Sequence, residues 1–105
     1  MKKAAKKLVK KLKENNLTLA LAESMTCGLA AHKLSGCVGV SDVLAGAIVC
    51  YTPGVKQKLL GISKTTILKH TCESKEVTEE LSKKLSKLIK ADIHAAITGL
   101  ASEGG

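Results

Sequence analysis

Three short polar segments contain the residues of this sequence that could do chemistry. Each is tied to an apolar run that predicts a buried strand: residues 23–28 follow the run 17–22, residues 51–53 close the run 43–51, and residues 98–105 follow the run 92–97. A hydroxyl group at the end of such a strand can act as a nucleophile, and the N–H groups of a turn that enters a helix can hold a phosphate or an oxyanion. The three segments therefore indicate a site for acyl transfer or for anion binding.

Ser24 is the candidate nucleophile of the first segment. At a strand-to-helix turn its hydroxyl can be exposed while the backbone N–H groups of Thr26, Cys27 and Gly28 point the same way. Serine and threonine are also preferred helix caps, so spacing alone leaves a capping role for Ser24 and Thr26 equally open. The segment is not the G-x-S-x-G elbow of the α/β-hydrolases.

A serine nucleophile needs a proton acceptor, and no histidine lies in the three segments. The histidines are predicted to lie in a helix, at a helix end and in a strand, where structural roles are favoured: His32, His70 and His94. The remaining candidates are Tyr51, Lys56 and Thr98, since lysine acts as the base in serine–lysine hydrolases. Lys56 follows Tyr51 by about one helical turn, but only this position distinguishes it from the other 16 lysines.

Hydrophobic periodicity places these segments in an alternation of helices and strands. Apolar residues at three- and four-residue steps predict helices at 1–16, 25–35, 55–60, 65–70 and 74–89. Ser74 is predicted to cap the last of these helices and Gly61 to end the third. The alternation predicts an α/β fold with three layers, helix-sheet-helix, around a partly parallel sheet, and ligands bind at the carboxyl ends of the strands in such sheets.

The composition fits one domain over residues 1–105, made of a basic amphipathic helix (1–16) and the segment-bearing part (17–105). Of the 105 residues 45% are hydrophobic, yet Tyr51 is the single aromatic residue, which predicts an aliphatic core. The four cysteines show no C-x-x-C pair and lie in apolar or small-residue contexts, which favours reduced, mostly buried thiols. No signal-peptide pattern and no membrane-length apolar run is visible, so we expect a cytoplasmic protein without a membrane partner.

The net charge of +8 is concentrated at the start, where seven lysines fall in the first 13 residues. A basic arm can bind nucleic acid, but lysine without arginine and without interleaved aromatic residues is poorly suited to reading or stacking on bases. We therefore expect a solvated helix face here. A basic interaction protein that binds nucleic acid through this helix is the least favoured alternative.

Residues 17–105 resemble the CinA C-terminal domain family, whose stand-alone relatives are nicotinamide mononucleotide deamidases. Four family patterns occur in order: A-E-S-x-T-G-G at 22–28, Y-(S/T)-N-x-x-K-x-x-x-L-G at 51–61, V-S-x-E-V at 73–77, and T-G-x-A-G-P-x-G-G beginning at Thr98. The resemblance implies hydrolysis of the carboxamide of nicotinamide mononucleotide to nicotinic acid mononucleotide and ammonia, with no cofactor and no metal.

The resemblance also implies roles for individual residues. Ser24 would be the nucleophile, and Lys56 and Tyr51 would activate it or move its proton. Substrate contacts would come from the first and last segments: Glu23, Thr26, Cys27, Gly28, Thr98, Gly99 and Gly104.

The sequence departs from the family pattern at several positions. Cys27 replaces a glycine at a place where the backbone can require a positive φ, Pro53 replaces an asparagine, and Ser102 and Glu103 replace Gly-Pro. The family continues beyond the equivalent of Gly105 into further strands, so we expect an incomplete sheet. Either the chain is a short form that covers the open edge by homo-oligomer formation, or it is a fragment of a longer gene product. These departures leave open a catalytically decayed module that binds the nucleotide without turnover.

Overall fold

A computed structural model of the chain describes residues 2–70 and 74–99. The elements follow one another as α1 (Lys2–Glu14), β1 (Leu19–Glu23), α2 (Leu29–Ser35), a short 3-10 helix (Val40–Asp42), β2 (Leu44–Val49), α3 (Pro53–Leu60), α4 (Lys64–His70), α5 (Lys75–Leu88) and β3 (Ile93–Ile97). The predicted alternation of helices and strands is therefore confirmed, with boundaries shifted by a few residues.

The three strands form one sheet in the order β2-β1-β3, and both pairings are parallel. At the carboxyl end of the sheet, Glu23 of the central strand pairs with Val49 on one side and with Ile97 on the other. The residues that follow these three therefore start from the same edge. This register brings the first residues of the three polar segments together, as the sequence predicts.

The central strand β1 is buried along its whole length and contributes to two separate cores. Leu19 and Leu21 pack with residues of α1 and α2, whereas Ala20 and Ala22 pack with residues of α3 and α5. Successive side chains of a strand point to opposite faces of a sheet. The fold is thus the predicted helix-sheet-helix arrangement, with helices on both faces.

The N-terminal helix α1 packs on the sheet through one apolar stripe. Ala5, Val9 and Leu12 are buried, while the lysine side chains described along the helix are exposed. This is the solvated basic face expected from the sequence. In the described part of the chain no helix is both long enough and apolar enough to span a bilayer.

Two predicted helix ends are confirmed. The Ser74 hydroxyl accepts a hydrogen bond from Val77 N at 3.2 Å and caps α5, and Gly61 ends α3 in the left-handed conformation at φ 69°. The second helix begins later than predicted, at Leu29 rather than at residue 25. Cys27 and Gly28 have φ values of 51° and 91°, and left-handed residues cannot continue a right-handed helix.

Candidate active site

Ser24 and Thr98 lie next to each other at the carboxyl edge of the sheet. Each directly follows one member of the Glu23–Ile97 pair, and Ser24 N donates to Ile97 O at 3.0 Å. Ser24 is 5% exposed, and Thr98 is half-buried. These two hydroxyl-bearing residues of the predicted site are thus neighbours in space although 74 positions separate them in sequence.

Glu23 is fully buried and its carboxylate is bonded within the protein. Its Oε1 accepts from Thr26 Oγ1 at 2.7 Å and from Ala30 N at 2.9 Å, and its Oε2 accepts from Ala31 N at 2.9 Å. Burial raises the pKa of the Glu23 carboxyl, but these hydrogen bonds, with one from Gly28 N, outweigh burial and hold the pKa below its ordinary value.

Glu23 therefore caps the N-terminal end of α2 with its side chain. The residue preceding the helix is Gly28, which makes no side-chain cap, so the alternative in which Ser24 or Thr26 caps the helix is wrong. The Thr26 hydroxyl turns back to Glu23 instead. A buried internal carboxylate thus accepts hydrogen bonds from the first amides of α2.

The hydrogen bonds of the turn also narrow the choice of amides that could hold an oxyanion. Cys27 N donates to Ser24 O at 3.1 Å, and Gly28 N is engaged by Glu23. Within residues 2–70 and 74–99, no acceptor is found for the N–H groups of Met25 and Thr26. Of the three backbone amides that the sequence predicted for anion binding, only that of Thr26 has no acceptor in this part of the chain. The amide of Met25, which was not predicted, has none there either.

Lys56 is 1% exposed and is the one buried lysine among those whose side chains the structure describes. It lies in the second turn of α3, which begins at Pro53 and is capped by the Thr52 hydroxyl accepting from Val55 N at 3.3 Å. Proline suits the first turn of a helix, where its missing N–H has no partner to lose. The departure at Pro53 therefore fits the fold.

Cys50 shares the buried environment of Lys56. Burial raises the pKa of the Cys50 thiol, and the Lys56 ammonium partly offsets that rise. The thiol lies 3.6 Å from the Glu23 carbonyl oxygen and donates to it. Tyr51, the next residue, is 52% exposed at the same edge of the sheet.

On the third strand, Thr98 Oγ1 lies 2.6 Å from Thr78 Oγ1 of α5. Gly99 has a φ of 153°, and a side chain there would collide with Met25 Sδ, so the backbone passes close to the turn after Ser24. The predicted substrate contact Gly104 lies outside the described residues. The structure thus brings the other predicted residues to one edge, where the sequence places them.

Two residues of this edge were missed by sequence reasoning. Thr78 lies on the polar part of a regular amphipathic helix, and Cys50 closes an apolar strand, so neither carries a signal of its own. The register of α5 against the carboxyl end of β3 could have indicated Thr78, but only after the fold was known.

Away from this edge, the described residues form an apolar groove and hold no group of side chains suited to a metal ion. An apolar groove of about 440 Å³ lies between α1, α2 and β3, on the sheet face opposite α5, and offers no polar group suited to chemistry except Lys33 at its border. Within residues 2–70 and 74–99, no three His, Cys, Asp or Glu side chains are grouped closely enough to hold a metal ion.

Comparisons with known proteins agree with this architecture. A family model described as the CinA C-terminal domain matches residues 1–105. A putative competence-damage inducible protein of Bacillus subtilis is 43% identical over 98 residues, and a CinA-like protein of Thermotoga neapolitana is 39% identical over 98 residues. These alignments cover 90% and 93% of this chain but only 24% of each relative.

The crystal structure of a competence or damage-inducible protein from Enterobacter asburiae superposes with a TM-score of 0.94 at 28% identity. The superposition covers 99% of this chain and 65% of that one. It confirms the predicted α/β fold. The chain thus spans about a quarter of the curated relatives and about two thirds of the solved structure.

Proposed function

We propose that this chain, which belongs to the CinA C-terminal domain family, is an amidohydrolase that converts nicotinamide mononucleotide to nicotinic acid mononucleotide and ammonia. The observation that carries the proposal is the burial of Lys56 at the sheet edge where Ser24 and Thr98 lie side by side. A buried lysine at the same sheet edge as a strand-end serine is the pair of residues from which a serine–lysine hydrolase is built. Such a substrate is a cytoplasmic metabolite, so we also place the chain in the cytoplasm.

The proposed reaction proceeds in two halves. Ser24 Oγ forms a bond to the carboxamide carbon while its proton passes to Nζ of Lys56 in its amine form, and the N–H groups of Met25 and Thr26 hold the oxyanion. Collapse of this intermediate breaks the C–N bond, and the proton on Lys56 leaves with the amine as ammonia. Water then attacks the acyl carbon and gives a proton to Lys56, and Lys56 returns this proton to Ser24 Oγ as the C–O bond breaks, which releases the carboxylic acid. Tyr51 is the second group proposed to relay these protons.

The test is the release of ammonia when nicotinamide mononucleotide is added to the purified chain. Ser24→Ala and Lys56→Met should each abolish turnover, whereas Ser86→Ala and Lys58→Met, at exposed positions, should keep it. Circular dichroism would verify that each variant is folded. Turnover that survives Ser24→Ala would contradict the proposed nucleophile.

A catalytically decayed nucleotide-binding module is the second candidate function. It is favoured by Cys27, a residue with a side chain held at φ 51° where the family pattern has glycine. Calorimetric binding of nicotinamide mononucleotide without ammonia release would support this candidate. Restoration of turnover by Cys27→Gly would then identify the position that caused the decay.

We also propose that the chain forms a homo-oligomer. The outer strands β2 and β3 each lack a second neighbour among the described strands, and Leu8 and Ile93 are 43% and 39% exposed beside the apolar groove. Unpaired strand edges and exposed apolar side chains favour association. Sedimentation equilibrium of the chain measures its mass directly, and a monomer at micromolar concentration would refute this proposal.

A further inference from the structure

The hydroxyl groups of Thr78 and Thr98 belong to a short chain of hydrogen bonds that ends on a backbone carbonyl. Thr78 Oγ1 lies 2.8 Å from Ser74 O, one helical turn earlier in α5, and 2.6 Å from Thr98 Oγ1. Threonines inside helices commonly bond to the carbonyl four residues earlier in this way. Both threonine side chains are half-buried.

The direction of these bonds follows from counting protons. A hydroxyl group has one proton to donate and two lone pairs that accept, and a carbonyl oxygen only accepts. The proton of Thr78 is therefore used on Ser74 O. In the contact between the two hydroxyl groups, Thr98 must then donate and Thr78 accept, which leaves Thr98 with lone pairs alone to offer a ligand.

We propose that Thr78 is a positioning residue that fixes Thr98 as a hydrogen-bond acceptor, and that Thr98 thereby selects a carboxamide over a carboxylate. This inference rests on the proposed amidohydrolase function. A carboxamide has an N–H₂ group that can donate to Thr98, whereas the carboxylate product has only acceptor oxygens. The product would place a negative oxygen against lone pairs, so it is repelled as it forms.

The same arrangement fixes the orientation of the carboxamide. Its nitrogen faces Thr98, and its carbonyl oxygen is left to the amides of Met25 and Thr26. A flipped carboxamide would place its carbonyl oxygen against the lone pairs of Thr98 and lose this match.

The test compares Thr78→Val, which removes the acceptor at nearly constant shape, with Thr78→Ser, which keeps it. Dissociation constants of nicotinamide mononucleotide and nicotinic acid mononucleotide are measured by calorimetry for both variants and for the unaltered chain. In Thr78→Val the proton of Thr98 is free to donate to a carboxylate. We expect the acid to bind about tenfold more tightly, because a hydrogen bond to a charged group is gained.

The amide behaves differently in the same variant. Its dissociation constant should change by less than about threefold, since a free hydroxyl can still accept or donate. Its kcat should fall, because flipped binding is no longer excluded. Thr78→Ser should retain the discrimination of the unaltered chain.

The possible outcomes separate this inference from the proposed function. If Thr78→Val leaves the ratio of the two dissociation constants unchanged, Thr78 does not have the proposed role. This holds even if the unaltered chain hydrolyses the amide. A changed ratio of the two dissociation constants, in a chain that releases no ammonia, would support Thr98 as the selecting group. It would refute only the proposed amidohydrolase activity. Failure of the unaltered chain to bind either nucleotide would overturn both.

Discussion

Replacement of Glu23 by glutamine should destabilise the fold strongly, because the buried carboxylate accepts hydrogen bonds at both oxygens. Glutamine keeps one acceptor for Thr26 and Ala30, but its N–H₂ group then faces the N–H of Ala31. A buried donor left without an acceptor costs about 1–3 kcal/mol, and bonds to a charged group are stronger than their neutral counterparts. Together these effects predict a loss of about 2–4 kcal/mol in the free energy of unfolding.

Urea unfolding followed by far-ultraviolet circular dichroism is the suitable assay, since the chain has no tryptophan. With a slope of about 1.5 kcal/mol per molar urea, the midpoint of Glu23→Gln should fall by about 2 M. Glu14→Gln is the matched control, because Glu14 is exposed and its carboxylate lies 4.0 Å from Lys10 Nζ. Such an exposed pair contributes at most about 1 kcal/mol.

The effect should also depend on pH in a known direction. The pKa of Glu23 is lowered in the folded state, so its carboxylate stabilises the fold above the ordinary glutamate pKa, and this stabilisation is lost as the pH falls through the folded pKa. The difference between the unaltered chain and Glu23→Gln should therefore be largest near neutral pH and shrink in acid. A Glu23→Gln midpoint equal to that of the control at neutral pH would refute the reasoning.

Two further predictions concern glycine and cysteine residues at the candidate site and in α3. Gly99→Ala should lower both stability and amidase activity, because residue 99 has a φ of 153°, which residues with a side chain rarely adopt, and the added methyl group would also displace Met25 Sδ. Gly54→Ala, with nothing within 4 Å, should stabilise α3 by about 0.5–1 kcal/mol. Thermal melts of the two variants check both effects, and a neutral Gly99→Ala would contradict the first. A thiol reagent should modify exposed Cys27 rapidly in the native chain but Cys50 only on unfolding, because Cys50 is buried and burial raises the pKa of its thiol. If Cys27→Ser has as many fast-reacting thiols as the unaltered chain, this prediction is wrong.

The sequence predicted the elements better than it predicted the hydrogen bonds between them. Helix α5 was predictable because its apolar face repeats at helical spacing and Ser74 precedes it, and both signals are local. The start of α2 was not, because Cys27 and Gly28 adopt left-handed conformations that small residues permit but do not dictate. Propensity describes single positions, whereas this turn is fixed by a carboxylate from the preceding strand.

For the candidate site, too, the position was predictable from the sequence and the contacts between side chains were not. Parallel strands with polar residues after their carboxyl ends predicted where Ser24 and Thr98 would meet. Composition and spacing could not distinguish Lys56 from the 16 other lysines, because burial depends on how α3 packs and not on the residue itself; only the family resemblance indicated Lys56. Glu23 was predicted as a substrate contact, but its bonds to the hydroxyl of Thr26 and to the amides of Ala30 and Ala31 depend on the path of the turn, which residue types alone do not indicate.

The alternation of leucine and alanine in β1 sets how closely the two helical layers can approach the sheet. Leucines fill the side toward α1 and α2, while Ala20 and Ala22 present only methyl groups to α5. Small side chains allow a helix to lie nearer a sheet, and Thr78 Oγ1 of α5 lies 2.6 Å from Oγ1 of Thr98, which follows β3. A bulkier residue at Ala22 would act as a spacer between the layers, so the selectivity proposed for Thr98 depends on the thickness of a core that touches no ligand.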